Sequence, residues 1–122
     1  MADKLVIIIL TPDPQAVLQV IEPIYHATVA ASMDYAVEVI FSGAAGHLAI
    51  RGVANKIATE RKLNETLYDL IKDAYKSGVV FKVSKFVVQK WGDNLIAEIS
   101  EVVSSGYIVG EIMNPAVKSL SY

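Results

Sequence analysis

The sequence predicts an α/β protein in which a mainly parallel five-stranded sheet lies between two layers of helices. Strand-like and helix-like segments alternate along the chain, which is typical of parallel strands joined by helical crossovers. The first strand-like segment, LVIIIL (5–10), is continuously apolar, as in a strand covered on both faces. No linker, repeat or low-complexity segment divides the 122 residues, so we expect one domain over 1–122.

A helix is predicted after the turn that follows this strand. Asp13 is a good N-cap residue, and Pro14 suits the first helical position because its missing N–H would be unpaired there anyway. Apolar and small residues recur on one face of this helix: Val17, Val20, Ile21, Ile24, Thr28 and Ala31. Pro23 lies inside the segment and removes one backbone hydrogen bond, so we expect a bend there.

The second strand is predicted at AVEVIF (36–41). It is followed by a loop of small residues, SGAAG (42–46), and by a helical segment from His47 to about Ile57. A strand, a short loop and a helix in this order continue the α/β pattern.

Another helix is predicted to begin at Asn64, which would cap it, and to end before Gly78, a natural C′ residue. Its buried stripe is expected to contain Leu67, Leu70, Ile71, Ala74 and Tyr75. Lys72 and Lys76 lie near its negative end. The third strand follows at 79–83.

The last thirty residues allow two interpretations. One is a helix over 93–104 followed by a strand over 107–113; the other is a strand near 99–103 followed by a helix from about 106 to 113. Both place the last strand at 118–122. The first interpretation leaves about four residues between the last two strands, whereas a parallel crossover needs about a dozen or more. We therefore favour the second, which gives a flavodoxin-like arrangement.

The composition excludes several classes of protein. A formal net charge of −2 argues against nucleic acid as a partner. No apolar run approaches the roughly 18 residues that a membrane span requires. The first residues, Met1 to Lys4, do not resemble a secretory signal. We expect a cytoplasmic protein with no membrane span.

The residue inventory also limits the chemistry. The chain has no cysteine, which excludes disulfides, thiolate metal sites and cysteine nucleophiles. Its two histidines, His26 and His47, lie in different elements, so we expect no metal site. His26 is interpreted as structural. No phosphate-binding glycine fingerprint follows any strand, and we expect no cofactor.

A small ligand is expected, if anywhere, in the crevice where the parallel strands end, because loops meet there. His47 and Arg51 lie one helical turn apart, and this spacing would allow them to bind an anion, although a solvated helix start is the favoured interpretation. The candidate ligand-binding residues are Thr11, Ser42, Gly43, His47, Arg51, Ser84 and Lys85.

The segment after the third strand is apolar on most sides, which favours contact with a partner subunit. Its candidate interface residues are Phe86, Val87, Val88 and Trp91. The chain is 53% hydrophobic, and a subunit interface would cover part of that excess. We therefore expect a homo-oligomer.

Three segments together resemble the DsrE/DsrF-like family of small sulfur-relay proteins. HATVAASMDYAVEVIFSGAAGHLAIRG (26–52) is similar to that family's alanine-rich first helix, second strand, short loop and helix ending in a basic-Gly pair. GVVFKVSKFVVQKWG (78–92) is similar to its third strand and following helix. GYIVGEIMNPAVKSLSY (106–122) is similar to its closing helix and strand. The resemblance covers nearly the whole chain.

The resemblance implies trimers or hexamers, formed alone or with sister DsrE-like or sulfur-carrier subunits. It also implies a sulfur-carrying cysteine directly after the third strand, and that position is Ser84 here. A serine hydroxyl cannot hold sulfane sulfur as a persulfide, because relay needs a thiolate. A Ser84–Lys85 dyad is disfavoured, since adjacent residues at a strand end point apart. The family's sulfurtransferase activity is therefore not expected here.

Two functions are favoured by these observations over a third, an enzyme that uses a non-cysteine nucleophile. The first is a non-catalytic DsrE-like subunit in intracellular sulfur trafficking, serving assembly or partner docking because its carrier position is Ser84. The alternative is a module that binds a small anion or metabolite in the crevice at the carboxyl ends of the strands.

Overall fold

The computed structural model describes residues 4–10 and 17–122, and in this part of the chain five strands form one sheet. The strands are β1 (Lys4–Ile9), β2 (Ala36–Phe41), β3 (Val80–Ser84), β4 (Ile99–Val103) and β5 (Val117–Ser121). The helices are α1 (Leu18–Ser32), α2 (Leu67–Lys76), α3 (Lys85–Trp91) and α4 (Ser105–Met113), with 3₁₀ segments at Gly43–Ala49 and Ala54–Lys56. Every strand pair is parallel, in the order β4-β3-β2-β1-β5. The predicted α/β class is confirmed.

The helices divide unequally between the two faces of the sheet. The larger core lies under α1 and α2, where the rings of Phe41 and Phe81 stack with their centroids 5.7 Å apart. The smaller core lies under α4, where Tyr107 and Ile108 pack against four buried side chains. Those four are Val6, Ile8, Ile40 and Val103. Alternate residues of each strand point to opposite faces, so the apolar residues of β1 and β2 supply both cores.

Helix α1 buries much of its predicted face. Val20, Ile21 and Ile24 are buried, whereas Thr28 and Ala31, nearer the end of the helix, are partly exposed. The residues predicted to start the helix, Asp13 and Pro14, lie outside the described residues. Pro23 is buried inside the helix.

The predicted cap of α2 is wrong: the N-cap is Thr66, not Asn64. The Thr66 side chain accepts a hydrogen bond from the Asp69 N–H at 3.3 Å, and the Asp69 carboxylate accepts one from the Thr66 N–H at 2.9 Å. This reciprocal pair satisfies two amide groups, which an Asn64 cap would not do. Asn64 instead adopts a φ of +63° in the preceding turn.

Tyr75 was predicted in the buried stripe of α2, and the structure places it outside. It is 51% exposed, while Leu67, Leu70, Ile71 and Ala74 are buried. Consecutive residues are about 100° apart around a helix, so the residue after Ala74 turns away from the core. The predicted stop is confirmed, since Gly78 follows the helix with a φ of +105°.

The segment predicted as a loop (42–46) and a helix (47 to about 57) is arranged differently. A 3₁₀ segment begins at Gly43, inside the predicted loop, and ends at Ala49; a second one covers only 54–56. Gly43 has a φ of +52°, and the Gly46 N–H donates to the Ser42 carbonyl at 3.1 Å. These glycines and the alanines between them permit tight turns that longer side chains would hinder.

The favoured interpretation of the last thirty residues is confirmed. A strand at 99–103, a helix at 105–113 and a strand at 117–121 form a parallel crossover that returns across the sheet. Ser104 caps the helix, because its hydroxyl accepts a hydrogen bond from the Tyr107 N–H at 3.2 Å.

Candidate functional site

Ser84 ends β3 and caps α3, and its side chain is committed to that role. The residue is 3% exposed. Its hydroxyl accepts a hydrogen bond from the Phe86 N–H at 3.3 Å, satisfying one of the free amides at the start of the helix. Lys85 is exposed, and the Ser84 hydroxyl bonds to the backbone rather than to the Lys85 amine. The geometry is that of a helix cap rather than of an activated nucleophile.

The loop after β2 rests on the end of β1. The Ser42 N–H donates to the Ile9 carbonyl at 2.9 Å, and the Ala45 N–H donates to the Leu10 carbonyl at 3.2 Å. A Cβ built on Gly43 would lie 2.5 Å from the Leu10 carbonyl oxygen, so no larger residue fits. Thr11, another predicted ligand-binding residue, lies outside the described residues. Through these two hydrogen bonds, the backbone of the loop after β2 closes one side of the crevice at the carboxyl ends of the strands.

A cavity of about 540 Å³ opens near the carboxyl ends of β2 and β3, between α1, the first 3₁₀ segment and α3. Its described wall comprises Val17, Val20, Gly43, Ala44, Ala45, His47, Leu48, Val53, Ile57, Leu67, Phe86, Val87, Lys90 and Trp91. This volume lies within the range of about 300–1,000 Å³ that small-molecule sites occupy. The cavity is therefore large enough for a small organic molecule.

The cavity brings together only two of the predicted ligand-binding residues that the structure describes, Gly43 and His47. Arg51 is exposed and lies outside the wall of the cavity, and its backbone N–H donates to the Asn94 carbonyl at 2.9 Å. His47 and Arg51, the candidate anion pair, do not both line this wall, because a 3₁₀ segment ending at Ala49 replaces the helix that would have aligned them. The predicted candidates Ser42, Ser84 and Lys85 also lie outside the described wall.

His47 instead pairs with Trp91 across the gap between the 3₁₀ segment and α3. Their rings stack with centroids 4.9 Å apart and planes 21° apart. The Lys90 amine lies 4.9 Å from the centre of the Trp91 ring, within the range of a cation–π contact. The mouth of the cavity thus combines an aromatic surface with a cation.

The candidate interface residues on α3 have different environments. Val87 is 2% exposed and belongs to the core, so it is not free to contact a partner. Val88 and Trp91 are partly buried against the same core. Phe86 is 66% exposed. Its role in subunit contact stays a prediction.

A buried cluster of charges, which the sequence analysis does not predict, lies on the α4 face of the sheet. Glu38 of β2 is 2% exposed and lies between Lys4 of β1, at 2.8 Å, and Lys82 of β3. The Tyr107 hydroxyl donates to Glu38, and its oxygen accepts from the Lys82 amine at 2.7 Å. Glu111 of α4 also pairs with Lys4, at 3.0 Å. The sequence signal was a single carboxylate within AVEVIF and a single lysine within VFKVS.

The pKa values of Glu38, Lys4 and Lys82 are shifted in favour of their charged forms. Burial raises the pKa of Glu38, but hydrogen bonds from Lys4, Lys82 and Tyr107 outweigh burial and lower it overall. Burial lowers the pKa of Lys4, but its bonds to Glu38 and Glu111 raise it overall to about 12. The pKa of Lys82 is also raised, by the same opposition of burial and hydrogen bonding. Glu38, Lys4 and Lys82 therefore remain ionised near neutral pH, and the cluster joins three strands to α4.

Helix α4 leaves much of its apolar surface uncovered. None of its nine residues is fully buried, and its Val109, Ile112 and Met113 are exposed. Met113 is the most exposed of these, at 74%. Exposed apolar side chains grouped on one helix are typical of an interaction surface.

No protein-family model and no curated protein sequence matches this chain. Among residues 4–10 and 17–122, none of the helices has the length and hydropathy that a membrane span requires. Within the same residues, no three His, Asp or Glu side chains are grouped so that they would hold a metal ion.

Proposed function

We propose that this chain is a non-catalytic DsrE-like subunit in intracellular sulfur trafficking, which serves assembly and partner docking. The observation that carries the proposal is the position of Ser84. It is the last residue of β3, at the junction where the resemblance places the carrier cysteine, and its hydroxyl caps α3. A hydroxyl held in this way can neither carry sulfane sulfur nor attack a substrate without a base.

Assembly is supported by the uneven cover of the sheet. One helix, α4, covers the face opposite α1 and α2, and its Val109 and Met113 remain exposed. A second copy of the chain placed against α4 would cover these side chains and remove apolar surface from water. We propose a homo-oligomer, a trimer or hexamer by the resemblance, with α4 in the contact.

Size-exclusion chromatography with light scattering tests the assembly. We expect a trimer or hexamer at micromolar concentration, and expect Met113→Glu to shift it toward smaller species, because a buried charge without a partner is unfavourable. Leu63→Glu is the matched control, since Leu63 is exposed in a turn away from α4. A monomeric wild type would refute the assembly.

Partner docking needs a separate test. The wild-type chain, immobilised, is mixed with purified sulfur-carrier proteins bearing a persulfide or a free thiol, and binding is measured by interferometry. We expect saturable binding without a change in the mass of the chain. A lack of binding by every carrier would contradict the trafficking role.

The cavity near His47 favours a second candidate function, the binding of a small metabolite or anion. Its volume of about 540 Å³ and its mainly apolar wall match the general features of small-molecule sites. Thermal-shift screening with organic acids, alcohols and inorganic anions tests it. Stabilisation by a ligand at concentrations near its dissociation constant is the expected result, because a ligand that binds only the folded state stabilises it.

A further inference from the structure

The wall of the cavity near His47 has two chemically different parts. Its floor is aliphatic and buried: Val20, Ala45, Leu48, Leu67 and Val87 are nearly inaccessible to water. Its mouth is formed by side chains that reach solvent, namely His47, Phe86 and Lys90, with the partly buried Trp91 beside them. A ligand that fits both parts must have an apolar end and a polar end.

The floor selects the apolar end. Aliphatic side chains without hydrogen-bonding groups form it, so a polar group placed there would lose its water without a new partner. A hydrocarbon chain loses no hydrogen bonds there, and each methylene group that leaves water makes binding more favourable.

The mouth selects the polar end. Lys90 supplies an ammonium group and His47 a ring nitrogen that can donate a hydrogen bond. No described residue of the wall carries a carboxylate. The Lys90 ammonium group attracts an anion, and a charge-assisted hydrogen bond to it would be stronger than a neutral one.

We propose that this cavity binds a small aliphatic carboxylic acid, with its hydrocarbon chain on the floor and its carboxylate at Lys90 and His47. The inference rests on the second proposed function, the binding of a small molecule in this crevice, and adds the class of ligand. It does not depend on the sulfur-trafficking role.

Trp91 allows a direct measurement, because it is the one tryptophan of the chain and it lines the cavity. The full-length protein is titrated with octanoate at pH 7 while Trp91 fluorescence is followed, and calorimetry measures the same binding. Parallel titrations use 1-octanol, octylamine and butyrate. We expect saturable binding of octanoate, at least fivefold tighter than that of octanol or butyrate, and no binding of octylamine.

Two variants locate the carboxylate. Lys90→Gln removes the cation at the mouth. We expect it to weaken the binding of octanoate at least fivefold and to leave the affinity for octanol unchanged. Lys76→Gln is the matched control, because Lys76 is an exposed lysine at the end of another helix, outside the wall. It is expected to leave octanoate binding unchanged. Both sites are exposed, so both variants should fold, which thermal unfolding verifies.

The outcomes separate the ligand class from the binding function. Equal affinity for octanoate and octanol would overturn the assignment of a carboxylic acid as the ligand, and so would an unchanged affinity of Lys90→Gln for octanoate. Either result would leave the proposed binding function standing. Tighter binding of octylamine would do the same. No saturable signal with any of the four probes, together with no stabilisation in the thermal-shift screen, would overturn both.

Discussion

The Tyr107 hydroxyl on α4 lies 2.6 Å from a carboxylate oxygen of Glu38 in the middle of β2. This bond links the only helix described on one face of the sheet to a charge buried beneath it. Lys4 and Lys82 approach the same carboxylate from the neighbouring strands. The cluster thus fixes α4 over the centre of the sheet, which an apolar contact alone would do less specifically.

Glu38→Gln is expected to destabilise the protein. The amide has nearly the shape of the carboxylate but no charge, so Lys4 and Lys82 lose their shared partner inside a poorly solvated site. Removing one member of a buried charge pair costs about 3 kcal/mol, and urea unfolding followed by circular dichroism would measure it. Glu22→Gln, at an exposed position on α1, is the control. If Glu38→Gln lowered the free energy of unfolding by less than Glu22→Gln does, the cluster would have no stabilising role.

Tyr107→Phe is expected to lower the free energy of unfolding by about 1 kcal/mol, less than Glu38→Gln does. The reason is that it removes one hydroxyl and leaves the lysine–carboxylate pairs. The same unfolding measurement applies. In the double variant with Glu38→Gln, the two losses should not add, since both side chains belong to one network. Simple additivity would show that the 2.6 Å bond couples them too weakly to matter.

The pKa shift of Glu38 predicts a pH dependence of stability. Its pKa is lower in the folded state than the ordinary value of 4.5, so its contribution is present above that value and is lost as the pH falls through the lower folded pKa. The difference in unfolding free energy between wild type and Glu38→Gln should therefore shrink below about pH 4.5. Urea denaturation at pH 7, 5, 4 and 3 would measure it; a constant difference would contradict the shift.

Gly46→Ala is expected to destabilise the fold by about 1–3 kcal/mol, the usual cost of overpacking. A Cβ at this position would overlap the side chain of Val87 on α3. Gly110→Ala is the matched control: Gly110 lies inside α4 with open space around it, so alanine should stabilise by about 0.5–1 kcal/mol. Thermal unfolding measures both, and adding Val87→Ala to Gly46→Ala should recover stability. No recovery would place the strain elsewhere.

Ser84→Cys tests the proposal that position 84 corresponds to a sulfur-carrier position. We expect a loss of about 1 kcal/mol, because a thiol caps a helix less well than a hydroxyl. The Phe86 N–H should favour the thiolate, whereas burial opposes it, and we expect the thiolate to be favoured with a pKa below the free value of about 8.5. Alkylation rate against pH measures that pKa, and mass spectrometry after polysulfide treatment measures the persulfide.

Ser104→Cys is the matched control for that experiment. Ser104 also caps a helix, α4, but it is exposed and far along the chain from β3. A persulfide that forms at position 84 and resists reductant longer than one at position 104 would support the carrier position. A thiol at position 84 with a raised pKa and no persulfide would mean that Ser84 is a helix cap and nothing more.

The local chemistry of the sequence was sufficient for the order and type of most elements. The apolar runs 5–10 and 36–41 match β1 and β2 closely, and the minimum length of a parallel crossover selected the correct arrangement of the last thirty residues. These features depend on near neighbours in the chain and on general limits of chain geometry. For this reason they can be read without knowing what each segment packs against.

The candidate site depended on the tertiary structure. Whether His47 meets Arg51 or Trp91 is decided by a 3₁₀ segment packed on α3, and the close approach of Gly46 to Val87 sets that packing. Likewise, Glu38 and Lys82 are 44 positions apart in sequence, and only the pairing of β2 with β3 brings them together. Contacts between distant segments depend on sheet register and helix placement, which no local pattern in the sequence encodes.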